Sequence, residues 1–140
     1  MKIREALSKV DIDLCTPVIL DLRPHLTNSD LWALYQNQMK ENYRILYILD
    51  DQEAVSFIGY RIQNMFHSGR TLYIDDLSTL PGHRGKGYAG QLLEVVFTIA
   101  EKNKCQTVSL DSGHFRHAAH RLYLNKGFII SSHHFHKTMD

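Results

Sequence analysis

The sequence predicts an α/β fold, a mixed β-sheet with helices on both faces. Three observations lead there. Residues 71–111 read as an apolar run, a loop rich in Gly, Arg and Lys, a long amphipathic segment and a second apolar run; that order is strand, turn, helix, strand. Apolar runs at 44–49, 54–64 and 71–80 are joined by short turn-forming stretches, so they pair as consecutive hairpins ahead of that unit. The chain of 140 residues carries no repeat, low-complexity segment or linker, which makes residues 1–140 one ordinary domain able to bury a real core.

Each element has its own signal. Residues 2–6 suit a short first strand. Residues 11–22 place Leu14, Val18, Ile19 and Leu22 on one side of a helix, and Thr16-Pro17 reads as an N-cap and first-turn pair that would start the regular helix later than Asp11. Arg23-Pro24-His25 ends it. Asn28 or Ser29 caps a second helix reaching about residue 41, with Leu31, Leu34, Tyr35 and Met39 as its apolar stripe. Asp50-Asp51-Gln52 makes the next turn, and Gly69 closes the turn into 71–80. Beyond Asp111 come a loop, a short helix over 116–125 stopped by Gly127, and a last strand from 128 to about 137.

Composition excludes several classes of protein. A net charge of +1 points to neither nucleic acid nor an anionic membrane as the main partner. No apolar run approaches a membrane span, and MKIREALSK lacks the apolar core of a signal peptide. Cys15 and Cys105 are far apart and sit in apolar patterns, as buried free thiols of a cytoplasmic protein do.

The strongest chemistry lies in Arg84-Gly85-Lys86-Gly87-Tyr88-Ala89. Glycines let successive N–H groups converge on one point, and the helix that follows presents free N–H groups and a partial positive charge there. A phosphate or pyrophosphate suits such a corner. The P-loop pattern starts at Gly82 but meets Tyr88 and Ala89 where Lys and Ser/Thr are required. The dinucleotide pattern Gly-x-Gly-x-x-Gly is met by Gly85, Gly87 and Gly90, with Asp111 placed as a ribose-binding acid. Pro81-Gly82-His83-Arg84 separates it from its strand, however, and only 29 residues follow Asp111, too few for the second half of that fold.

A third pattern, Gln/Arg-x-x-Gly-x-Gly/Ala, is met by Arg84, Gly87 and Ala89. Here the chain resembles the GNAT superfamily of acyl-CoA-dependent N-acetyltransferases. The approach Leu77-Ser78-Thr79, Pro81, Arg84 is similar to that family's strand-to-loop segment, and Ala119-x-x-Leu122-Tyr123-x-x-x-Gly127-Phe128 resembles its downstream motif. The two motifs stand in the family's order and together cover about 70–130. The resemblance implies a mixed sheet of six to seven strands, acetyl-CoA as co-substrate and an amine acceptor. It places Arg84, Gly85, Lys86, Gly87, Tyr88 and Ala89 around the CoA pyrophosphate. Leu77, Ser78 and Thr79 would pair with the pantetheine arm and supply the oxyanion donor through their backbone, with the two parallel strands parting after Leu77 at a bulge. Where many relatives carry an Asn that contacts CoA, this chain has Arg116, so that role does not carry over.

Acetyl transfer to an amine sets the remaining requirements. An alkyl amine of pKa about 10.4 is neutral only about 0.04% of the time at pH 7, a barrier of roughly 4.6 kcal/mol, which a general base lowers. The oxyanion needs a donor already aimed at it. The departing thiolate needs only a modest acid. By pattern alone Tyr123 is one more core aromatic; the resemblance puts it beside the CoA sulfur as that acid. Asp75 and Asp76 interrupt an apolar strand, and alternation sends them to opposite faces. A buried carboxylate needs a partner, so at least one should meet a cleft, a cation or solvent. The resemblance implies a base on this strand without matching either position, which makes Asp75 the candidate base and Asp76 a candidate acceptor contact, against the plainer reading of an edge residue and a backbone cap.

The acceptor pocket is expected from 23–29, the strand around Asp75 and the C-terminal strand, where Ser131-Ser132-His133-His134 would line it. His133 and His134 are thus candidate substrate residues, equally readable as ordinary polar strand positions. Trp32, Tyr35, Tyr43 and Tyr47 could add aromatic walls, although core packing accounts for them too. His114, His117, His120, His134 and His136 lack a Cys or carboxylate at a metal-ligand spacing, so no metal is expected. The acceptor is a small cationic amine or a protein amine, and the assembly a monomer or homodimer. A non-catalytic acyl-CoA-binding module and a small dinucleotide-binding domain are the alternatives.

Overall fold

Strand pairing follows the hairpin spacing of the sequence. In the computed structural model, which describes residues 2–140, five strands lie in chain order in one sheet: β1 (Lys2–Glu5), β2 (Arg44–Asp50), β3 (Glu53–Met65), β4 (Gly69–Thr79) and β5 (Thr107–Leu110). The first four are antiparallel neighbours, and β5 runs parallel to β4 because a helix carries the chain back between them. The helices are α1 (Lys9–Leu22), α2 (Leu31–Met39), α3 (Tyr88–Lys102) and α4 (His117–Asn125).

Alternation along β2 and β3 divides the core between the two faces. Ile45, Tyr47 and Phe57 meet Ile12, Cys15 and Val18 of α1 and Tyr35 of α2. Ile48, Ile58 and Leu72 meet Leu92, Leu93 and Val96 of α3 on the other side. Each such side chain, almost wholly buried, stabilises the fold by roughly 1.5–3 kcal/mol. Cys15 is buried and Cys105 half-buried, and both are free thiols.

The first helix starts earlier than Thr16-Pro17 predicts, and Pro17 lies inside it. A stronger N-terminal signal wins. Asp11 accepts hydrogen bonds from the Leu7 and Ser8 N–H groups at 2.9 and 3.0 Å and from Ser8 Oγ at 3.1 Å, while the Tyr47 hydroxyl reaches its other oxygen at 2.6 Å. Burial raises the Asp11 carboxyl, but Tyr47 and then the Leu7 and Ser8 bonds outweigh it, and the net shift is below the usual value. Since the folded pKa is the lower one, this stabilisation is present above the unfolded pKa near ~3.9 and is lost as pH falls through the folded value. Asp11→Ala is expected to cost about 2 kcal/mol at pH 7, about 5 °C in melting temperature. Melts followed by circular dichroism should show the difference shrinking as pH falls below the unfolded value near ~3.9; an equal loss at neutral and acid pH would mean that its charge is irrelevant.

The second helix is capped by Asp30, which accepts from the Ala33 N–H at 3.1 Å, rather than by Asn28 or Ser29, and it ends at Met39. The largest departure is C-terminal. Residues 128–137 form no strand, so the sheet has five strands instead of six to seven. A strand requires a partner for its backbone. β5, the edge strand, is only four residues long and pairs with β4 alone, and 129–140 lie exposed without joining it.

Candidate active site

The site is built on the second half of β4. Gly59 lies opposite Asp76 and Tyr60 opposite Ile74, leaving Asp75 without a partner on β3. Such a bulge cancels strict alternation. The sequence sends Asp75 and Asp76 to opposite faces; the structure instead joins both in one polar cluster. Arg61 grips the Asp75 carboxylate with two bonds, Nε to Oδ1 at 3.1 Å and Nη2 to Oδ2 at 2.8 Å. Arg23 binds Asp76 Oδ1 through Nε at 2.9 Å and Nη2 at 2.8 Å, and donates to the Asp75 carbonyl at 3.0 Å. The Tyr43 hydroxyl donates to the second oxygen of Asp76, and the Arg61 guanidinium lies 5.2 Å above the Tyr43 ring. Two carboxylates thus meet two guanidinium groups, and the cluster carries no net charge.

Burial raises the Asp75 carboxyl above its usual value despite the opposing Arg61. Burial, then the Asp76 charge, pushes the Tyr43 phenol well up and keeps it a donor. Arg23, read in the sequence as a helix end and the start of the acceptor-pocket loop but not as a partner of the acids, and Arg61 are the members whose pairing sequence reasoning missed. The available signal was Arg61 breaking an apolar strand, one hairpin away from a strand broken by two acids.

A cavity of about 290 Å³ opens between α1, the turn Pro24–Leu26, α2 and the sheet. Arg23, Tyr43 and Asp76 form its polar wall; Ile12, Ile19, Leu31, Leu34 and Phe57 supply much of the remainder. Tyr35 and Tyr43 line it as aromatic walls. Trp32 and Tyr47 do not. His133 and His134 stand outside it on the exposed C-terminal segment, with His134 Nδ1 at 3.6 Å from Asp111 Oδ1. His120 Nε2 lies 2.8 Å from the Gly113 carbonyl. Among the described residues no group of three or more His, Cys, Asp or Glu is placed to hold a metal ion.

The other edge of β4 faces a gap. Pairing with β5 stops at Ile74 and Leu110, three residues before the parting expected after Leu77, because β5 itself ends there. Leu77, Ser78 and Thr79 are paired with β3 only. Ser56 Oγ holds this stretch from behind, donating to the Ser78 carbonyl at 3.1 Å and lying 2.8 Å from Thr79 Oγ1.

The glycine loop follows directly. Gly85 and Gly87 have φ of +77° and +84°, a backbone that side chains resist, and a Cβ on either would meet nothing within 4 Å. Both therefore face open space. The first helical bond of α3 runs from the Gln91 N–H to the Gly87 carbonyl at 3.1 Å, so the N–H groups of Tyr88, Ala89 and Gly90 lack helical acceptors. No acidic residue sits in that first turn, and Lys86 forms no ion pair among the described residues. Two predicted contacts look different in place. Arg84 turns back, donating to the Thr79 carbonyl at 3.0 Å and to Asp21 at 3.2 Å, and so braces the loop. The Tyr88 side chain is buried with its hydroxyl on Asp50 at 2.6 Å, which leaves only its backbone for a ligand.

Tyr123 is half-buried on α4 against the α3-side core, its ring edge-on to Phe128 at 5.9 Å. Its hydroxyl has no hydrogen-bond partner among the described residues, and burial raises the phenol against the opposing charge of Arg116. Asp111, the ribose acid of the dinucleotide pattern, instead accepts from the Tyr73 hydroxyl at 2.5 Å. That engagement, together with a mainly antiparallel sheet, removes the dinucleotide-domain alternative.

Known proteins share this fold. The sequence pattern of the acetyltransferase (GNAT) family matches residues 13–128. A Bacillus subtilis (strain 168) protein, the uncharacterized N-acetyltransferase YhdJ, is 34% identical over 123 residues, covering 86% of this chain and 87% of the relative. Among solved structures, the aminoglycoside N-acetyltransferase AAC(6')-Iy in complex with a bisubstrate analog of CoA and acetylneamine superposes with a TM-score of 0.84 at 17% identity, over 99% of this chain and 97% of the other. A putative acetyltransferase from Agrobacterium tumefaciens gives 0.84 at 20% identity, over 99% and 100%. Those two likenesses show the fold. With the family match and the Bacillus relative, they establish that the chain belongs to the GNAT family of acetyltransferases and is an acyltransferase of the N-acetyltransferase class.

Proposed function

We propose that the chain moves an acetyl group from acetyl-CoA to the primary amine of a compact, largely apolar acceptor, by direct attack in a ternary complex. The observation that carries this is the placing of three features on one strand. β4 has one free edge beside the open glycine loop at the start of α3 and turns Asp76 toward a cavity on the α1–α2 face. Read as a concavity, that corner would suit a pyrophosphate: Gly85 and Gly87 face open space, the first N–H groups of α3 lack helical acceptors, and Lys86 adds charge. Leu77, Ser78 and Thr79 offer peptide groups to an extended pantetheine arm. Bound there, acetyl-CoA would supply an activated acyl group.

The chain's own groups would do the rest. The amine enters from the α1–α2 side, along the wall that Arg23, Tyr43 and Asp76 form. Asp75 takes its proton through water, since Arg61 already occupies both of its oxygens. Tyr123, on the opposite face, delivers a proton to the leaving sulfur across the gap. The polar wall is neutral and the remaining lining largely apolar, so the cavity suits a single amine on an apolar body better than a polycation.

Thermal shift and thiol release test this together. Acetyl-CoA and CoA should raise the melting temperature and NAD should not. Phenylalkylamines should release thiol faster than spermidine or an aminoglycoside; stabilisation by NAD alone would overturn the reading, and faster polyamine turnover would overturn the acceptor class. Gly87→Val should weaken CoA binding at least about tenfold, because a side chain at this φ costs roughly 1–2 kcal/mol and enters the concavity. Calorimetry that finds affinity unchanged would remove the loop from CoA binding.

A further inference from the structure

Arg116 is the N-cap residue of α4, at the position where many relatives carry Asn. Its backbone is fully used: the N–H donates to the Gly113 carbonyl at 3.0 Å, and the carbonyl accepts from the His120 N–H at 3.1 Å. Its exposed side chain is not. Among the described residues the guanidinium makes no ion pair and no capping bond, and it stacks 5.5 Å from the centre of the Phe115 ring. The first turn of α4 holds no acidic residue, and His114, His117 and His120 are its titratable neighbours in sequence. No carboxylate there neutralises the charge.

Tyr123 follows seven residues later, two helical turns, and so leaves α4 on the same side. Side chains on a helix lean back toward its N-terminus. The phenol therefore reaches toward the end that Arg116 caps, where the helix dipole is also positive. Burial raises this phenol, and the Arg116 charge is what opposes the rise.

We propose that Arg116 is a positioning residue for the proton that Tyr123 delivers, its charge steadying the phenolate left behind. This rests on the reading of Tyr123 as the general acid. As the tetrahedral intermediate collapses, its carbon–sulfur bond breaks and the electron pair goes to sulfur. The phenol's proton follows to the sulfur, and the phenolate regains a proton from solvent. Transfer from an ordinary phenol near ~10 to a thiolate near ~8.5 is uphill by a factor of about thirty, and burial steepens it. A cation beside the phenolate recovers part of that factor.

Thiol-release kinetics with phenethylamine as acceptor, run on the intact chain, test the assignment. Arg116→Gln should lower kcat about tenfold, while acetyl-CoA affinity measured by calorimetry stays within about twofold; Arg116→Lys should recover most of the loss. In a Tyr123→Phe background the same substitution should change kcat less than about twofold, since no phenolate remains to be steadied. Losses that multiply overturn the proposal. So does an acetyl-CoA affinity that falls with kcat kept, which would make Arg116 a phosphate contact. If Tyr123→Phe leaves kcat unchanged, the acid itself is lost and the proposal with it; if Arg116→Gln alone is silent, the acid stands and the proposal falls. Carbon NMR of the ligand-free chain labelled at tyrosine Cζ needs no turnover, with Tyr123 assigned by its loss in Tyr123→Phe. Its signal should begin to titrate at higher pH in Arg116→Gln than in the parent, and an unchanged onset overturns the proposal.

Discussion

Gly59→Ala is expected to destabilise the protein by about 2.5–6 kcal/mol, the sum of overpacking at roughly 1–3 kcal/mol and a lost charge-assisted hydrogen bond at roughly 1.5–3 kcal/mol. A Cβ at Gly59 would fall 1.7 Å from the Tyr43 hydroxyl oxygen and 2.3 Å from Cζ. Tyr43 can move only toward the cavity, away from its bond to Asp76. It is 2% exposed, with Tyr35 edge-on at 6.0 Å on one side and the Arg61 guanidinium at 5.2 Å on the other. Either the phenol abandons Asp76, or β3 shifts against β4 and undoes the bulge that brings Asp75 and Asp76 together. The melting temperature should drop by roughly 10–15 °C, and turnover measured well below it should fall at least about tenfold as the acidic pair is re-aimed. Tyr43→Phe, which removes the hydroxyl without adding bulk, should cost only about 2 kcal/mol. A Gly59→Ala protein melting within about 2 °C of the parent would show that the Tyr43–Asp76 contact yields easily and does not hold the site.

Tyr123→Phe should lower kcat by about a hundredfold, within the usual range for losing a general acid, while acetyl-CoA affinity stays within about twofold. Its signature is activity lost with stability kept. The Tyr123 hydroxyl has no protein partner among the described residues, so removing it breaks no internal bond and leaves the melting temperature unchanged or slightly raised. Burial lifts the phenol above its ordinary value of 10.0, so it keeps its proton throughout the assay range, as an acid must. The thiolate it serves has a pKa near ~8.5 and needs little help at low pH. The defect of the variant should therefore be smallest in acid and grow toward alkaline pH, read from kcat profiles between about pH 6 and 9. Unchanged kcat would remove Tyr123 as the acid, and a lowered melting temperature with normal kcat would make it a packing residue.

The most legible part of the site was the glycine loop, because its requirement is local. Gly85 and Gly87 both adopt the positive φ that brings N–H groups to one point, and no distant residue is needed to predict it. Tyr123 and Leu122 were legible through their motif, and both pack on the α3 side. Asp75 and Asp76 were visible as intruders in an apolar strand, but their placement was not, because period-two counting fails at a bulge. Their partners Arg23 and Arg61 lie 52 and 14 residues away in sequence, a pairing that no local window contains. Pro17 misled for a related reason. Its first-turn preference is weak beside the bonds that Asp11 makes to Leu7, Ser8 and Tyr47.

By itself, then, the amino-acid order determined which segments up to residue 125 are helix or strand, the glycine corner at the start of α3, and the family to which the chain belongs. Those features rest on φ preferences, apolar periodicity and short spacings, all properties of neighbours along the chain. Tertiary structure alone decided that Asp75 and Asp76 share one neutral cluster, that Tyr88 and Arg84 brace the loop with their side chains, and that 129–140 stands without a strand partner. Each of these depends on which distant atoms come within hydrogen-bonding or packing distance, and register, burial and available edges exist only once the sheet has formed.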